Sequence, residues 1–248
     1  MADKTGLGDR MKRQYEDRTR FMLPRRTYTI LRADGKAFHT YTRHCKKPHD
    51  TRLATCLDIA AIALCREVQG ALIGYVQSDE ISVVLQDFAL ISTEAWFDGN
   101  LQKMVSVGAS TVTAAFNVAA QEARLSPLAM FDCRAFVIPD PVEVENYLIW
   151  RQQDATRNSI QGLAQVNFSP KRLLGVNTSQ MQEMLFTEYG LNWNDLPSDQ
   201  KRGRTVIYSE ERWQIDYDIP VFTANREYLT QRLIPHQRSV IPTMNGGM

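Results

Sequence analysis

Residues 74–85 read Gly74-Tyr75-Val76-Gln77-Ser78-Asp79-Glu80-Ile81-Ser82-Val83-Val84-Leu85. Two adjacent carboxylates, Asp79 and Glu80, stand here between two apolar runs that are typical of β-strands. An unpaired carboxylate is very costly to bury. A tight turn that holds both acids at the edge of a sheet therefore predicts a cation-binding site.

A second acid has a similar setting upstream, where residues 28–35 read Tyr28-Thr29-Ile30-Leu31-Arg32-Ala33-Asp34-Gly35. Gly35 allows the backbone to turn sharply or to approach a ligand closely. Mg²⁺ prefers one or two protein carboxylates together with phosphate oxygens. If Asp34 and Asp79 meet in space, they predict a two-metal nucleotidyl-transfer site on an antiparallel palm. The alternative is a pair of turn-capping acids, which is common beside Gly and Ser.

The order of the predicted elements indicates an α+β fold. Apolar runs predict strands at 27–33, 71–76, 81–85 and 132–138. One helix is predicted to begin at Asp50 or Thr51, and a second to occupy residues 101–123. This order is the ferredoxin-like βαββαβ pattern of a polymerase palm, an antiparallel sheet with helices on one face. We predict a catalytic palm domain with an N-terminal arm over residues 1–140.

Residues 141–248 are predicted to form a mainly helical extension with a closing hairpin, packed on the palm. A long helix is expected at 142–166, shorter helices near 171–174 and 178–187, and hairpin strands at 205–208 and 213–217. The long helix places Arg151, Asp154 and Asn158 on one face. One interpretation of that face is a buried polar network that braces the helix against the palm.

Composition restricts the class of protein more than the function. The chain has 248 residues, 44% hydrophobic and 23% charged, with a net charge of +1, which is ordinary for a globular protein. The sequence shows no pattern typical of a signal peptide and no apolar run long enough to span a bilayer. We therefore predict no membrane partner. The four cysteines form no C-x-x-C pair, which disfavours a zinc site or a disulfide framework. Reduced thiols predict a cytoplasmic protein.

Several motifs in a fixed order resemble the tRNA-His guanylyltransferase superfamily, the 3′–5′ polymerases. They are Arg32-Ala33-Asp34-Gly35, Phe38-His39, Lys47-Pro48, Gln77-Ser78-Asp79-Glu80, Trp150-Arg151-Gln152 with Asp154, Leu191-Asn192-Trp193-Asn194-Asp195-Leu196-Pro197, and Lys201-Arg202-Gly203. Each motif alone is weak, but the ordered set covers nearly the whole chain.

The resemblance implies a chemistry and a set of site residues. ATP or GTP would activate a 5′-monophosphorylated tRNA, and the 3′-hydroxyl of an incoming nucleotide would then attack the activated end. Two Mg²⁺ ions are implied at Asp34, Asp79 and the Gly35 carbonyl, with Glu80 as the adjacent catalytic acid. Implied nucleotide-binding residues are Lys36, Ala37, Phe38, His39, Lys47, Asp50, Ser78 and Asn158. A homotetramer is also implied.

Two departures from the family pattern decide the predicted substrate. Residues 156–159 read Thr156-Arg157-Asn158-Ser159, where members that add the extra guanosine carry a histidine-bearing motif. Asp98-Gly99-Asn100 replaces a basic cluster. Both changes resemble the bacterial and archaeal guanylyltransferase-like branch, which implies template-dependent 3′–5′ repair of truncated tRNA. The alternatives are a strict tRNA-His guanylyltransferase, a nucleotide cyclase-like palm and a catalytically silent RNA-binding protein.

Individual charged residues leave further alternatives open. Glu80 is either a metal ligand or a surface acid oriented by the turn. His39 is assigned to nucleotide binding rather than to general base catalysis. Five cations suit contact with an RNA backbone as a set, although each alone is an ordinary surface charge: Lys47, Lys103, Arg134, Arg151 and Arg204.

Overall fold

The computed structural model describes residues 6–234, so the two ends of the predicted domains, 1–5 and 235–248, lie outside the described residues. Its six-stranded antiparallel sheet has the order β4-β1-β3-β2-β5-β6. The strands are β1 (Tyr28–Gly35), β2 (Ala71–Gln77), β3 (Glu80–Gln86), β4 (Phe131–Ile138), β5 (Arg204–Ser209) and β6 (Arg212–Asp216). The predicted mixed fold with an antiparallel sheet is confirmed.

The helices are α1 (Leu7–Met11), α2 (Phe38–Tyr41), α3 (Thr51–Glu67), α4 (Leu101–Glu122), α5 (Pro141–Asn167), α6 (Pro170–Leu173), α7 (Thr178–Tyr189), α8 (Ser198–Arg202) and α9 (Glu227–Leu233). Helices α3 to α7 lie close to their predicted positions, whereas α2, α8 and α9 were not predicted. A side chain caps the N-terminus of four of the helices: Asp50 caps α3, Asn100 caps α4, Asp140 caps α5 and Asn177 caps α7. No helix within residues 6–234 has the length and apolar character needed to cross a membrane.

The central strands are covered on both faces. Every residue of β2 and β3 is buried, because successive side chains point alternately to two hydrophobic clusters. One cluster packs Leu31, Val76 and Val83 against the apolar sides of α3 and α4. The other packs Ile30, Tyr75 and similar residues against α5 and α9. The helices of the predicted palm therefore share one face, and the extension covers the other.

The C-terminal hairpin continues the sheet instead of lying apart from it. β5 pairs with β2, placing Val76 opposite Arg204, and β6 pairs with β5. Gly203, which precedes β5, has a φ of 75° and sits against β2. A Cβ there would lie 2.6 Å from the Val76 carbonyl oxygen, so glycine permits the close approach of the two segments. The sheet thus crosses the predicted boundary at residue 140.

Candidate active site

A two-residue turn, Ser78 and Asp79, joins β2 to β3. Gln77 and Glu80 face each other at the ends of the two strands. Ser78 has a φ of 48°, and its hydroxyl donates a hydrogen bond to Asp79 Oδ1 at 2.9 Å. The turn therefore fixes the Asp79 carboxylate at the sheet edge.

The strand register brings Asp34 to the same edge. Asp34 lies directly opposite Glu80 in the antiparallel pair of β1 and β3, one residue from Asp79. Burial raises the pKa of Asp79, and the negative charges of Asp34 and Glu80 raise it further. The two acids therefore interact, as the sequence predicts for a shared site.

The donor set at this edge fits Mg²⁺. Two half-buried carboxylates that repel each other favour a cation between them, and Mg²⁺ commonly takes its remaining ligands from water and phosphate. Within residues 6–234, no group of three His, Cys, Asp or Glu side chains converges as a metal site. A Cβ at Gly35 would lie 2.2 Å from the Phe38 ring, so the residue after Asp34 must be glycine for the chain to pass Phe38. The assignment of Asp34, Asp79 and the Gly35 carbonyl as ligands stays a prediction.

Glu80 is buried and paired. Arg151 Nε and Nη2 donate to its two carboxylate oxygens at 2.7 and 2.8 Å, and Arg32 Nε lies 3.9 Å away. The interpretation of Glu80 as a surface acid is therefore wrong. Because both oxygens accept from Arg151, the residue couples the turn to α5, and its direct catalytic role stays a prediction.

The polar face of α5 forms the network that the sequence suggested as one alternative. Arg151 Nη2 also donates to Asp154 at 2.9 Å, and Asn158 Nδ2 lies 3.5 Å from the same carboxylate oxygen. Arg157 pairs with the other oxygen of Asp154. This chain of contacts connects the β2–β3 turn to the part of α5 that lines the adjacent cavity.

Two of the five predicted RNA-contacting cations are not on the surface. Arg151 is buried against Glu80, and Arg204 is buried in an ion pair with Asp58. Arg204 Nη2 also donates to the Ala54 carbonyl at 3.1 Å, which ties β5 to the first turn of α3. Their prediction as surface contacts is wrong, because each has a buried carboxylate partner far along the chain. The other three, Lys47, Lys103 and Arg134, are exposed.

A cavity of about 440 Å³ opens beside the acidic turn. Its walls come from the segment after β1, the start of α3, the β2–β3 turn, α5 and the α8–β5 junction. Seven predicted site residues line it: Phe38, His39, Lys47, Asp50, Ser78, Asp79 and Asn158. Five others do not contribute to its lining: Asp34, Gly35, Lys36, Ala37 and Glu80. Six of the eight predicted nucleotide-binding residues therefore share one concavity with Asp79.

The segment from Lys36 to His39 is held in place by packing. Ala37 adopts a φ of 54°, and the Lys36 amide donates to the Met130 carbonyl at 2.8 Å. Phe38 is buried, with its ring stacked on Tyr41 at 4.9 Å between centroids. His39 is exposed beside it and lines the cavity. Phe38 therefore anchors the segment, and His39 stays exposed at the cavity, with its Nε2 3.1 Å from Thr40 Oγ1.

Asp50 has mainly a structural set of contacts. Its side chain accepts from the backbone amides of Lys46 and Arg52, both at 3.0 Å, and from Arg52 Nη2 at 2.8 Å. The Arg52 guanidinium holds the pKa of Asp50 well below its usual range. The acid therefore stays ionised and shapes the cavity wall before α3.

Other cavity residues escaped prediction. Gln77, His49, Asp199 and Gln200 all line the cavity. Burial lowers the pKa of His49, so its ring is held neutral more readily. The α8–β5 wall surrounds the motif Lys201-Arg202-Gly203, since Asp199, Gln200, Gly203 and Arg204 line the cavity, but the motif alone did not indicate that this segment reaches the site.

The family of the chain follows from comparison with known proteins. A family model described as tRNAHis guanylyltransferase matches residues 8–139, more than half of the chain. The tRNA(His) guanylyltransferase of Schizosaccharomyces pombe is 32% identical over 210 residues, covering 79% of this chain and 78% of that protein. The chain belongs to the tRNAHis guanylyltransferase family and is a nucleotidyltransferase.

Solved structures support the same placement. A bacterial tRNA(His) guanylyltransferase (Thg1)-like protein in complex with ATP is 48% identical, with a TM-score of 0.86, and the match covers 90% of this chain and 97% of that one. A bacterial Thg1-like protein in complex with GTP is 42% identical, with a TM-score of 0.77 and the same coverage. The predicted superfamily and enzyme class are confirmed.

Proposed function

We propose that this enzyme adds nucleotides to the 5′ end of truncated tRNA in the 3′–5′ direction, using the opposite strand as template. The sheet would serve as a polymerase palm. The observation that carries the proposal is the cavity of about 440 Å³ that joins the Ser78–Asp79 turn to the predicted nucleotide residues. Relatives in complex with ATP and with GTP support a nucleoside triphosphate as its occupant.

The reaction consists of two phosphoryl-group transfers. In the first, a 5′-monophosphate oxygen of the tRNA attacks the α-phosphorus of ATP or GTP, and pyrophosphate leaves. In the second, the 3′-oxygen of the incoming nucleotide bonds to the activated 5′-phosphorus, and AMP or GMP leaves while the hydroxyl proton passes to solvent. Catalysis of such transfers depends mainly on positioning and on charge stabilisation.

Each step assigns roles to residues of this chain. Asp34, Asp79 and the Gly35 carbonyl would hold two Mg²⁺ ions, which when bound neutralise phosphate charge and acidify a hydroxyl. Ser78, Lys47 and His39 would contact the triphosphate, because they line the cavity beside Asp79. Arg151 and Glu80 keep the turn in place from behind.

A strict tRNA-His guanylyltransferase is the second candidate, favoured by the names of relatives such as the one from Schizosaccharomyces pombe. The structure supports the template-directed alternative, because Arg157 and Ser159, in the motif that differs from the family pattern, already contact other residues of this chain. Arg157 pairs with Asp154, and Ser159 Oγ accepts from Trp193 Nε1 at 3.0 Å. These contacts orient both side chains toward residues of this chain.

The proposal is tested with 5′-monophosphorylated truncated tRNA, Mg²⁺, ATP and labelled nucleotides. We expect a 5′-adenylylated intermediate followed by a product one nucleotide longer. An enzyme that binds the tRNA but forms neither species would contradict the proposal and favour a silent RNA-binding protein. A homotetramer is part of the same proposal, and light scattering of the purified protein tests it.

A further inference from the structure

Gln77 is a buried polar residue that the proposed mechanism does not use. It is the last residue of β2, it is only 4% exposed, and it lines the cavity beside Asp79. Its side-chain oxygen Oε1 is buried and has no hydrogen-bond partner within residues 6–234. Buried polar atoms in folded proteins nearly always have a partner, so this one calls for an explanation.

The strand register shows where the Gln77 amide points. Gln77 lies directly opposite Glu80, and opposite residues of an antiparallel pair place their side chains on the same face. The Glu80 side chain reaches Arg151 on α5. The Gln77 amide therefore faces α5, where Ala155 and Asn158 form a wall of the cavity.

The chemistry of the missing partner follows from the oxygen atom itself. A carboxamide oxygen only accepts hydrogen bonds, so it requires a donor. In a nucleoside triphosphate, the ionised phosphates offer no donor, whereas the ribose hydroxyls and the base N–H groups do. Gln77 is two residues from Asp79, at most about 7 Å along the chain. If the triphosphate binds at Asp79, as proposed above, the ribose is the first group along the nucleotide that can donate to Gln77, and the base lies farther off.

We propose that Gln77 is a specificity-determining residue, whose side-chain oxygen accepts a hydrogen bond from a ribose hydroxyl of the bound nucleotide. The site would thereby prefer ribonucleotides over deoxyribonucleotides. A site built to pair with a hydroxyl strongly rejects the analogue that lacks it, because its own buried polar group is then left unpaired. The inference rests on the proposed function, since it takes a nucleoside triphosphate as the occupant of the cavity.

The test measures the dissociation constants of ATP, 2′-deoxy-ATP and 3′-deoxy-ATP in Mg²⁺ without tRNA. Three proteins are compared: wild type, Gln77→Met and Gln77→Glu. Methionine matches the length of glutamine but neither donates nor accepts a strong hydrogen bond, whereas glutamate keeps an acceptor and loses the donor. Thermal unfolding of each protein shows whether it is folded.

We expect wild type to bind ATP about tenfold more tightly than one of the two deoxynucleotides. In Gln77→Met this ratio should fall to near one, through weaker binding of ATP alone. Gln77→Glu should keep the ratio, even if its added charge beside Asp79 weakens all three ligands.

Two results would overturn the proposal while leaving the proposed function intact. In the first, Gln77→Met weakens all three nucleotides equally, which would mean that the amide bonds a pocket water or the triphosphate. In the second, it changes none of them. A folded wild-type protein that binds no nucleotide at all would instead refute the proposed function together with this inference.

Discussion

Arg151 donates two hydrogen bonds to Glu80, from Nε to Oε1 at 2.7 Å and from Nη2 to Oε2 at 2.8 Å. The pair joins the middle of α5 to the first residue of β3, directly after Asp79. Its side chains are 7% and 9% exposed. A bidentate ion pair with this little solvent fixes geometry well, but it is stable only while both partners are present.

Removal of one partner is therefore expected to destabilise the fold. Arg151→Met leaves the Glu80 carboxylate buried without its bidentate partner, and we expect a loss of about 3 kcal/mol in the free energy of unfolding. Urea denaturation measures it. The matched control is Arg134→Met, because Arg134 pairs with Asp132 at 3.5 Å in an exposed position, where about 1 kcal/mol or less is expected.

Removal of both partners separates stability from catalysis. The double variant Glu80→Leu, Arg151→Met removes both members of the pair but leaves Arg32, whose Nε lies 3.9 Å from Glu80 in wild type, so we expect it to regain part of the lost stability. Its nucleotide addition should stay well below wild type, because the turn that carries Asp79 has lost its brace. Wild-type activity in a stable double variant would show that the pair does not position the site.

Asp79→Asn is expected to abolish both 5′ activation and nucleotide addition without unfolding the protein.

Burial raises the pKa of Asp79 above its ordinary 3.8, so the folded state favours the protonated form. The stability that protonated Asp79 contributes to the folded state is fully present below its ordinary pKa. It is lost as pH rises through the pKa that Asp79 has in the folded protein. In EDTA, wild type should therefore lose stability relative to Asp79→Asn as pH rises from about 4 to 7. An equal loss of stability with pH in wild type and in Asp79→Asn would contradict the raised pKa of Asp79.

Asp34→Asn is expected to remove activity and leave Tm nearly unchanged. Asp34 is half-buried at a strand end, and no hydrogen bond to its side chain joins it to another residue described here. Both reaction steps should be measured, because a shared site predicts that they fail together. A large fall in Tm with normal activity would show that Asp34 is structural.

Gly203→Ala tests the wall between β5 and the cavity. A Cβ there meets the Val76 oxygen at 2.6 Å and the Tyr75 hydroxyl at 2.7 Å. Gly175→Ala is the control, since Gly175 has a φ of 76° but open space around it. We expect the control to cost about 1 kcal/mol for its left-handed backbone, and Gly203→Ala to cost more and to weaken ATP binding. Similar losses in both variants would show that the close approach to β2 is not required.

Much of the site was predictable, because local patterns encode it. Apolar runs predict the strands, and a strand that ends in Asp34-Gly35 or leads to Ser78-Asp79 places its acid at an edge whatever the packing. Short polar turns also locate Asp50 as the cap of α3.

The features of the site that the sequence did not predict depend on contacts between residues far apart in the chain. Glu80 and Arg151 are 71 residues apart, and Asp58 and Arg204 are 146 apart. No local pattern distinguishes a buried arginine of this kind from a surface one, so Arg151 and Arg204 were misplaced. Gln77 follows the predicted strand 71–76 and belongs to the motif Gln77-Ser78-Asp79-Glu80, but its buried and unpaired oxygen is visible only once the cavity is assembled.

The central claim is that the template selects the incoming nucleotide. The most direct measurement is kcat/KM for truncated tRNA-His and one unrelated truncated tRNA with each of the four nucleotides. We predict that both tRNAs are extended by whichever nucleotide complements the template, with no preference for GTP opposite a non-cytosine base. A preference for tRNA-His of about a hundredfold or more, roughly 2.7 kcal/mol of discrimination, would contradict the account and establish the strict guanylyltransferase in its place.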